Sequence, residues 1–252
     1  MLDALRTRLD RDFSDFNHPW PGLELEAHLR DFMFESFAPF LPPTPPGSVP
    51  TGSALAIGLQ HAREVTLMGQ HFHYQRILNP PGHVLDRLAY DAPECAFDLA
   101  YGPPDQLTQY GNYDAVFALH NFNNLDRPET VLAAAQEVLP KGGKLFLAVQ
   151  NAAAGSRRMA LSMGLIQSLD QVFPNGIQRR FLDRAGLRAL VQAAGFKELE
   201  SGGILLKTFT EAQIAALFAA NLIGAPYLRA LYMLGKTYPD LCTSVYVVAE
   251  KI

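Results

Sequence analysis

Cysteine is scarce in this 252-residue chain, which carries only Cys95 and Cys242. Two thiols cannot build a disulfide framework, and no C-x-x-C or zinc-type spacing occurs, so a reducing compartment is expected. Charge of one sign is also lacking. Lys and Arg total 21 against 25 Asp and Glu, a net charge of −4, which argues against general affinity for nucleic acid or anionic membranes. Arg157-Arg158 and Arg179-Arg180 are basic pairs, too few to make a stripe. The segment from Met1 to Asp12 is charged and has no apolar h-region, so no secretory signal is expected. The apolar stretch from Ile214 to Leu234 is interrupted by Asn221, Pro226 and Arg229. It reads as a pair of buried helices, and the chain is expected in the cytoplasm without a membrane span. Internal repeats are missing too.

What is present is an apolar content of 48% with 18% charged residues, ordinary for a globular enzyme. The clearest unit runs from Tyr113 to Asn151. Tyr113 to His120 is an apolar run of strand length, and Asn121 to Pro128 is a polar stop. Glu129 to Leu139 has helical spacing, with Val131, Leu132, Ala135, Val138 and Leu139 on one face. Pro140-Lys141-Gly142-Gly143 breaks that helix, and Lys144 to Val149 is a second buried strand. A helix between two apolar strands implies parallel pairing and a right-handed crossover. Ligands of such sheets sit beyond the carboxyl ends of the strands, where His120 to Asn124 and Gln150-Asn151 fall.

Around this unit three regions are expected: an N-terminal helical cap or lid at 1–41, a Pro-rich linker at 42–52, and an α/β body at 53–252. The cap reads as two helices split near Trp20, with Leu25, Leu29, Phe32, Met33 and Phe37 on one side of the second. Ser53 to Leu59 and Glu64 to Gly69 both read as strands. The four residues between them cannot carry a parallel crossover, so either they form a hairpin or one is not a sheet strand. His71 to Leu78 is expected as a helix, Val84 to Asp86 as a weak strand and Ala96 to Tyr101 as a better one. Further on, Arg157 to Leu169 and Asp183 to Ala194 read as helices, the latter capped by Asp183 and ended by Gly195. Phe196 to Glu200 and Gly203 to Leu206 follow as strands, Glu211 to Lys236 as mostly helical, and Thr243 to Ala249 as the closing strand.

Several further segments stand out over roughly residues 113 to 252: Phe122-Asn123-Asn124-Leu125-Asp126-Arg127-Pro128 after the first strand of the unit, Lys141-Gly142-Gly143 at the turn and Gln150-Asn151 at the end of the second strand. Met163-Gly164-Leu165-Ile166, Ala194-Gly195-Phe196, Ser201 to Lys207 and Tyr238-Pro239-Asp240-Leu241-Cys242 follow in order. Together they resemble the class I S-adenosylmethionine (SAM)-dependent methyltransferases, in which the first segment has the form V-L-E-H-V-x-x-P, and the later ones resemble a small-molecule subgroup. The resemblance implies a Rossmann-like α/β fold, mostly parallel with an antiparallel C-terminal strand. It also implies SAM as cofactor and a small-molecule acceptor, such as a specialised metabolite or a sugar.

The N-terminal half departs from that pattern. Family members hold SAM on a glycine-rich turn of the form D/E-x-G-x-G-x-G, whereas Gly58 with Gln60, or Gly69 with Gln70, is a reduced version. The helix expected after the first strand is missing or very short. Asp86 stands as the candidate ribose acid and Asp105 as the acid near the adenine amine, with His120 and Asn121 completing the cofactor set. The catalytic candidates are His120, as base, and Asn124, which can orient an acceptor but cannot take its proton. Asn151, Arg179, Lys207, Phe32 and Phe37 are the substrate-binding candidates. His61, His71 and His73 lack an acid at ligand-like spacing, so no metal is expected. The alternative reading is a catalytically degenerate relative, serving as a binding or partner subunit or performing a cyclisation or isomerisation. A homodimer or a pathway partner is compatible with either.

Overall fold

The computed structural model describes residues 23–82, 84, 85, 88, 95–125, 127–170, 182–207, 209 and 211–252. The first helix expected in the cap, Trp20, Asp86 and Arg179 lie outside them. Helix α1 spans Leu23–Phe37, followed after the proline-rich stretch by strand β1, Ser53–Ile57. Then come α2 (Ala62–Gly69), β2 (Tyr74–Leu78), β3 (Phe97–Ala100) and β4 (Ala115–Leu119). Next are α3 (Pro128–Val138), β5 (Lys144–Gln150), α4 (Gly155–Ser162), α5 (Arg184–Ala193) and β6 (Phe196–Ile204). Helices α6 (Glu211–Ala219) and α7 (Ala225–Thr237) precede the last strand, β7 (Ser244–Lys251).

The seven strands form one sheet in the order β3-β2-β1-β4-β5-β7-β6. Strands β1 to β5 pair in parallel, and β7 runs antiparallel to both β5 and β6. The chain therefore winds outward from β1 in one direction and from β4 in the other. Their carboxyl ends define a topological switch point.

Period-two alternation decides which residues face which layer. On β4 and β5, Ala115, Phe117, Leu119, Phe146 and Ala148 join one buried cluster, with α1, α2 and α7 over it. Val116, Ala118, Leu145, Leu147 and Val149 join the other, under α3 and α5. Helix α1 contributes Phe34, whose ring lies 6.0 Å from that of Phe117, and Phe37, 5.1 Å from Phe146 and 5.6 Å from Tyr246. Among the described residues, no helix is long and apolar enough to cross a membrane.

Several local expectations are corrected. Glu64 to Gly69 is helix, not strand, which settles Ser53–Ile57 as the first sheet strand and supplies the helix thought missing. Its start is a capping box: the His61 side chain accepts from the Arg63 amide at 3.0 Å and the Glu64 carboxylate accepts from the His61 amide. The segment expected as helix, His71 to Leu78, contains β2, and Val84 and Leu85 are helical rather than extended. Strand β6 is one continuous strand with a bulge between Glu198 and Glu200. Its Gly203 has a structural reason: a Cβ there would meet Pro239 O at 2.5 Å and Cys242 Sγ at 2.6 Å. Helix α4 ends at Ser162, and the stretch 211–236 is divided into α6 and α7.

Candidate functional site at the switch point

The rim over β1 and β4 is built from two sharp turns. Gly58 leaves β1 at φ +60°, a left-handed conformation that glycine adopts without a Cβ penalty, and donates its amide to Leu78 O at 2.8 Å. His120 leaves β4 at φ +62°, a costlier conformation for a side-chain-bearing residue. Its amide is held by Ala148 O at 2.6 Å, which fixes the turn against β5. Backbone outliers of this kind cluster at sites where geometry is over-determined.

A polar network joins these turns. Asn121 donates from Nδ2 to Gly58 O and accepts from Gln60 Nε2 at 3.0 Å, strapping the β1 turn to the β4 turn. The Glu64 carboxylate accepts from the backbone amides of Gln60 (3.0 Å) and His61 (3.3 Å), so it occupies the start of α2 as an anion would. From α1, Arg30 enters the same space with only 3% of its surface exposed. Its Nε lies 2.7 Å from Glu64 Oε1, and Nη2 lies 3.0 Å from Glu26 Oε2. The Arg30–Glu64 approach is too oblique for a hydrogen bond, leaving Arg30 Nε and Glu64 Oε1 without such a partner. Arg30 Nη2 also reaches Gln60 Oε1, and Nη1 reaches His120 Nε2, both at 3.4 Å.

Burial dominates the electrostatics here. It pushes the Glu64 carboxyl above its usual range, although Arg30 and the two amides pull the other way. Burial, then the Arg30 charge, holds the His120 imidazole well below its ordinary value near 6.5. Because a guanidinium only donates, His120 Nε2 must present a lone pair to it and the ring proton sits on Nδ1. A neutral imidazole facing a cation accepts hydrogen bonds readily and takes protons poorly.

This shift has a measurable consequence. With a depressed folded value, the unfolded chain binds the extra proton first, so stability is lost as pH falls from about 6.5 toward the folded value. Removing that proton linkage in His120→Gln should flatten the pH slope of unfolding free energy by up to about 1.4 kcal/mol per pH unit in that window. Urea titrations at several pH values would show it, and parallel slopes for both proteins would contradict the assignment.

The other rim positions are now placed. Asn79, directly after β2, takes φ +54° and is 3% exposed. Its side chain donates to Gly102 O at 2.7 Å and accepts from Gly102 N at 3.0 Å, clasping the ends of β2 and β3. It stands directly after β2, where the family pattern has an acid, and the helical expectation for His71 to Leu78 hides it in the sequence. Asp105 follows β3 and pairs with Arg127 at 2.9 Å. Asn123 and Asn124 lie in the buried turn Phe122–Asn124; Asn123 Nδ2 donates to Gln150 O at 3.1 Å, and its Oδ1 has no hydrogen-bond partner.

Some predicted members are not part of this constellation. Gly69 and Gln70 end α2 just before β2, at the opposite edge of the sheet, which removes them from the cofactor set. Asn151 sits at the rim but donates to Asp240 O and Cys242 O and accepts from the Ala153 amide, so its side chain clamps backbone. Phe37 is fully enclosed and Phe32 stacks on Tyr232 at 4.6 Å, so both are core residues. Lys207 is buried just beyond β6. Among the described residues, no group of three or more His, Cys, Asp or Glu is placed to hold a metal.

The sequence matches the model of a methyltransferase domain family over residues 70–201, just over half of the chain. The chain belongs to that family. The matched span begins after β1 and α2, so Arg30, Gly58, Gln60 and Glu64 of this methyltransferase-family protein lie outside it. No curated protein matches the sequence significantly. Solved structures do resemble the fold. A SAM-dependent methyltransferase of Thermotoga maritima, described as a possible histamine N-methyltransferase, shares 15% identity at a TM-score of 0.56 (97% of this chain, 99% of that one). The magnesium protoporphyrin IX methyltransferase of Synechocystis PCC 6803, solved with bound SAH, shares 12% at 0.57 (98% and 95%). The 4+2 cyclase SpnF shares 14% at 0.56 (89% and 80%). At these identities the likeness is one of fold.

Proposed function

We propose that this methyltransferase-family protein transfers a methyl group from SAM to a small-molecule acceptor. The observation that carries the reading is the switch point itself, where a left-handed Gly58 and a buried guanidinium, Arg30, meet at the carboxyl ends of β1 and β4. The donor set suits a zwitterionic nucleoside. Gly58 lets backbone approach closely, Asn79 and Asp105 stand beyond the ends of β2 and β3, and Arg30, ion-paired with Glu64 and Glu26, supplies charge-assisted donors. When bound, SAM supplies the electrophilic methyl of its sulfonium.

The chain's own contribution is then binding, orientation and exclusion of water. His120, neutral and turned toward Arg30, can accept a hydrogen bond but is a weak general base. Asn123 and Asn124 can orient an acceptor without deprotonating it. The acceptor atom must therefore be nucleophilic already near neutral pH, so positioning supplies most of the acceleration. The same proposal places the protein in the cytoplasm, in keeping with two cysteines, Cys95 and Cys242, that form no disulfide.

A second reading, a binding or partner subunit that has lost transfer chemistry, is favoured by two features. The Gln60–Asn121–Gly58 strap crosses the switch point, and Asn79 rather than an acid closes β2. Calorimetric titration with SAM separates the two. Binding with a dissociation constant from roughly micromolar to tens of micromolar is expected of the transferase. No heat at about 1 mM SAM would leave the subunit reading in its place.

A further inference from the structure

The proline-rich stretch has no part in the site at the switch point, yet it walls a pocket at the other edge of the sheet. This pocket of about 560 Å³ lies at the amino ends of β4 and β5, where Asp114, Ala115 and Lys144 line it. The length of β4, roughly 17 Å, separates it from the turn at His120. One wall contains Pro39, Pro42 and Pro43, whose fixed φ angles make a stiff strap. The strap is pinned twice. His71 donates from Nδ1 to Pro42 O at 3.0 Å, and Ser48 donates its amide (3.0 Å) and its hydroxyl (2.7 Å) to Pro45 O. Phe40 and Leu41 add apolar surface from the strap, and Phe72, Phe146 and Leu199 do so from the body.

The charged residues lining the pocket are Asp114, Lys141 and Lys144, so positive charge is in excess. Asp114 accepts from the Ser53 amide at 2.8 Å, and Lys144 pairs with Glu250, which also has Lys197 at 4.0 Å. Lys141 is exposed and has no ion-pair or hydrogen-bond partner among the described residues. A tight turn presents it. Gly142 takes φ +81° and donates to Lys251 O at 2.8 Å, and a Cβ on Gly143 would meet Pro140 O at 2.9 Å.

We propose that this pocket binds a medium-chain carboxylate, its hydrocarbon chain along the proline strap and its carboxylate on Lys141. The volume is that of a small-molecule site, and the walls are apolar with one cation placed at the rim. A wall already stiffened by prolines loses little freedom when the ligand arrives. Chain burial supplies most of the affinity. Lys141 supplies the preference for a carboxylate, and only a modest one, because a charge pair open to water is weak. The site stands apart from the switch point, so this inference does not rest on the SAM reading.

The test is a ligand-observed NMR titration of the whole protein with octanoate, its neutral counterpart octan-1-ol, and acetate. Octanoate should bind with a dissociation constant of roughly 0.1–1 mM, octanol about threefold more weakly, and acetate not at all at about 10 mM. Lys141→Met should weaken octanoate to the level of octanol and leave octanol within about twofold, whereas Lys141→Arg should keep the preference for octanoate. Phe40→Ser should weaken octanoate and octanol alike, by about threefold or more. Unchanged octanoate binding in Lys141→Met would overturn the inference, and this exposed turn position decides the matter even if Phe40→Ser fails to fold. So would equal affinity of the wild type for octanoate and octanol, or no octanoate binding at about 5 mM. Unchanged binding of both chains in a folded Phe40→Ser would place them elsewhere and overturn it too.

Discussion

Phe117→Ala should destabilise the protein by about 3–5 kcal/mol, the range for truncating a fully packed aromatic. The ring of Phe117 is completely buried on β4 and stacks on Phe146 of β5 at 4.5 Å with an interplanar angle of 7°. Phe34 of α1 covers it at 6.0 Å and Phe72 meets it edge-on at 5.8 Å. Four segments of the chain therefore lose contacts together, and rigid strands on either side prevent the cavity from collapsing. For a chain of this length each kcal/mol moves the melting temperature by roughly 2–4 °C, so a drop of about 6–20 °C is expected in calorimetry. Phe117→Leu, which keeps most of the volume, should lose clearly less. A loss below about 1 kcal/mol in the alanine variant would show that the sheet face is not packed as described.

Arg30→Met should cost a similar amount for a different reason. Removing one member of a buried ion pair leaves the other charged and unpaired, typically at about 3–5 kcal/mol. In this variant Glu64, wholly buried, keeps only the Gln60 and His61 amides. Replacing both residues together, as in Arg30→Met with Glu64→Leu, should be far less harmful than the two single losses added. An interaction energy of at least about 2 kcal/mol in the double-mutant cycle is expected from urea unfolding, and additive losses would show that the pair is not coupled. The pH dependence has a definite sign. A carboxyl raised above 4.5 in the folded state contributes most below that pH and loses its contribution as pH rises through the folded value. Without Arg30 that rise goes further, so the gap between wild type and Arg30→Met should widen from about pH 5 to pH 8.

The half of the fold around β4, α3 and β5 was legible because its signals are local. An apolar run, an eleven-residue amphipathic helix and a Pro-Lys-Gly-Gly stop are each read within one window. The family resemblance rested on the same stretch, and the matched span of the family model ends nearby at residue 201. The N-terminal half was less legible for a physical reason. Helix α2 is eight residues long, and its Glu-Val-Thr-Leu-Met core is too short for a 3.6-residue period to stand apart from a buried strand. Reading it as a strand displaced β2 in turn. Asn79 was then missed, and Gly69 was placed at the wrong edge.

The site divided in the same way. His120 and Asn121 stand out in the sequence because polar residues directly after an apolar strand mark a rim, and Gly58 stands out only through the likeness of its turn to the family's glycine-rich pattern. Arg30, Glu64 and the Asn79–Gly102 clasp do not, since their partners lie up to 90 positions away in the chain. A single hint existed in the His61-x-x-Glu64 spacing, which has the form of a capping box.

By itself, the sequence determined the layer architecture and the edge at which chemistry can occur, because alternation along each strand and the breaks after it are properties of neighbouring residues. Only the tertiary structure decided which groups meet at that edge. Whether a buried arginine faces a ligand, a histidine or two glutamates depends on how a helix near the N-terminus docks on turns far along the chain. Burial at that junction then sets which of them carries charge.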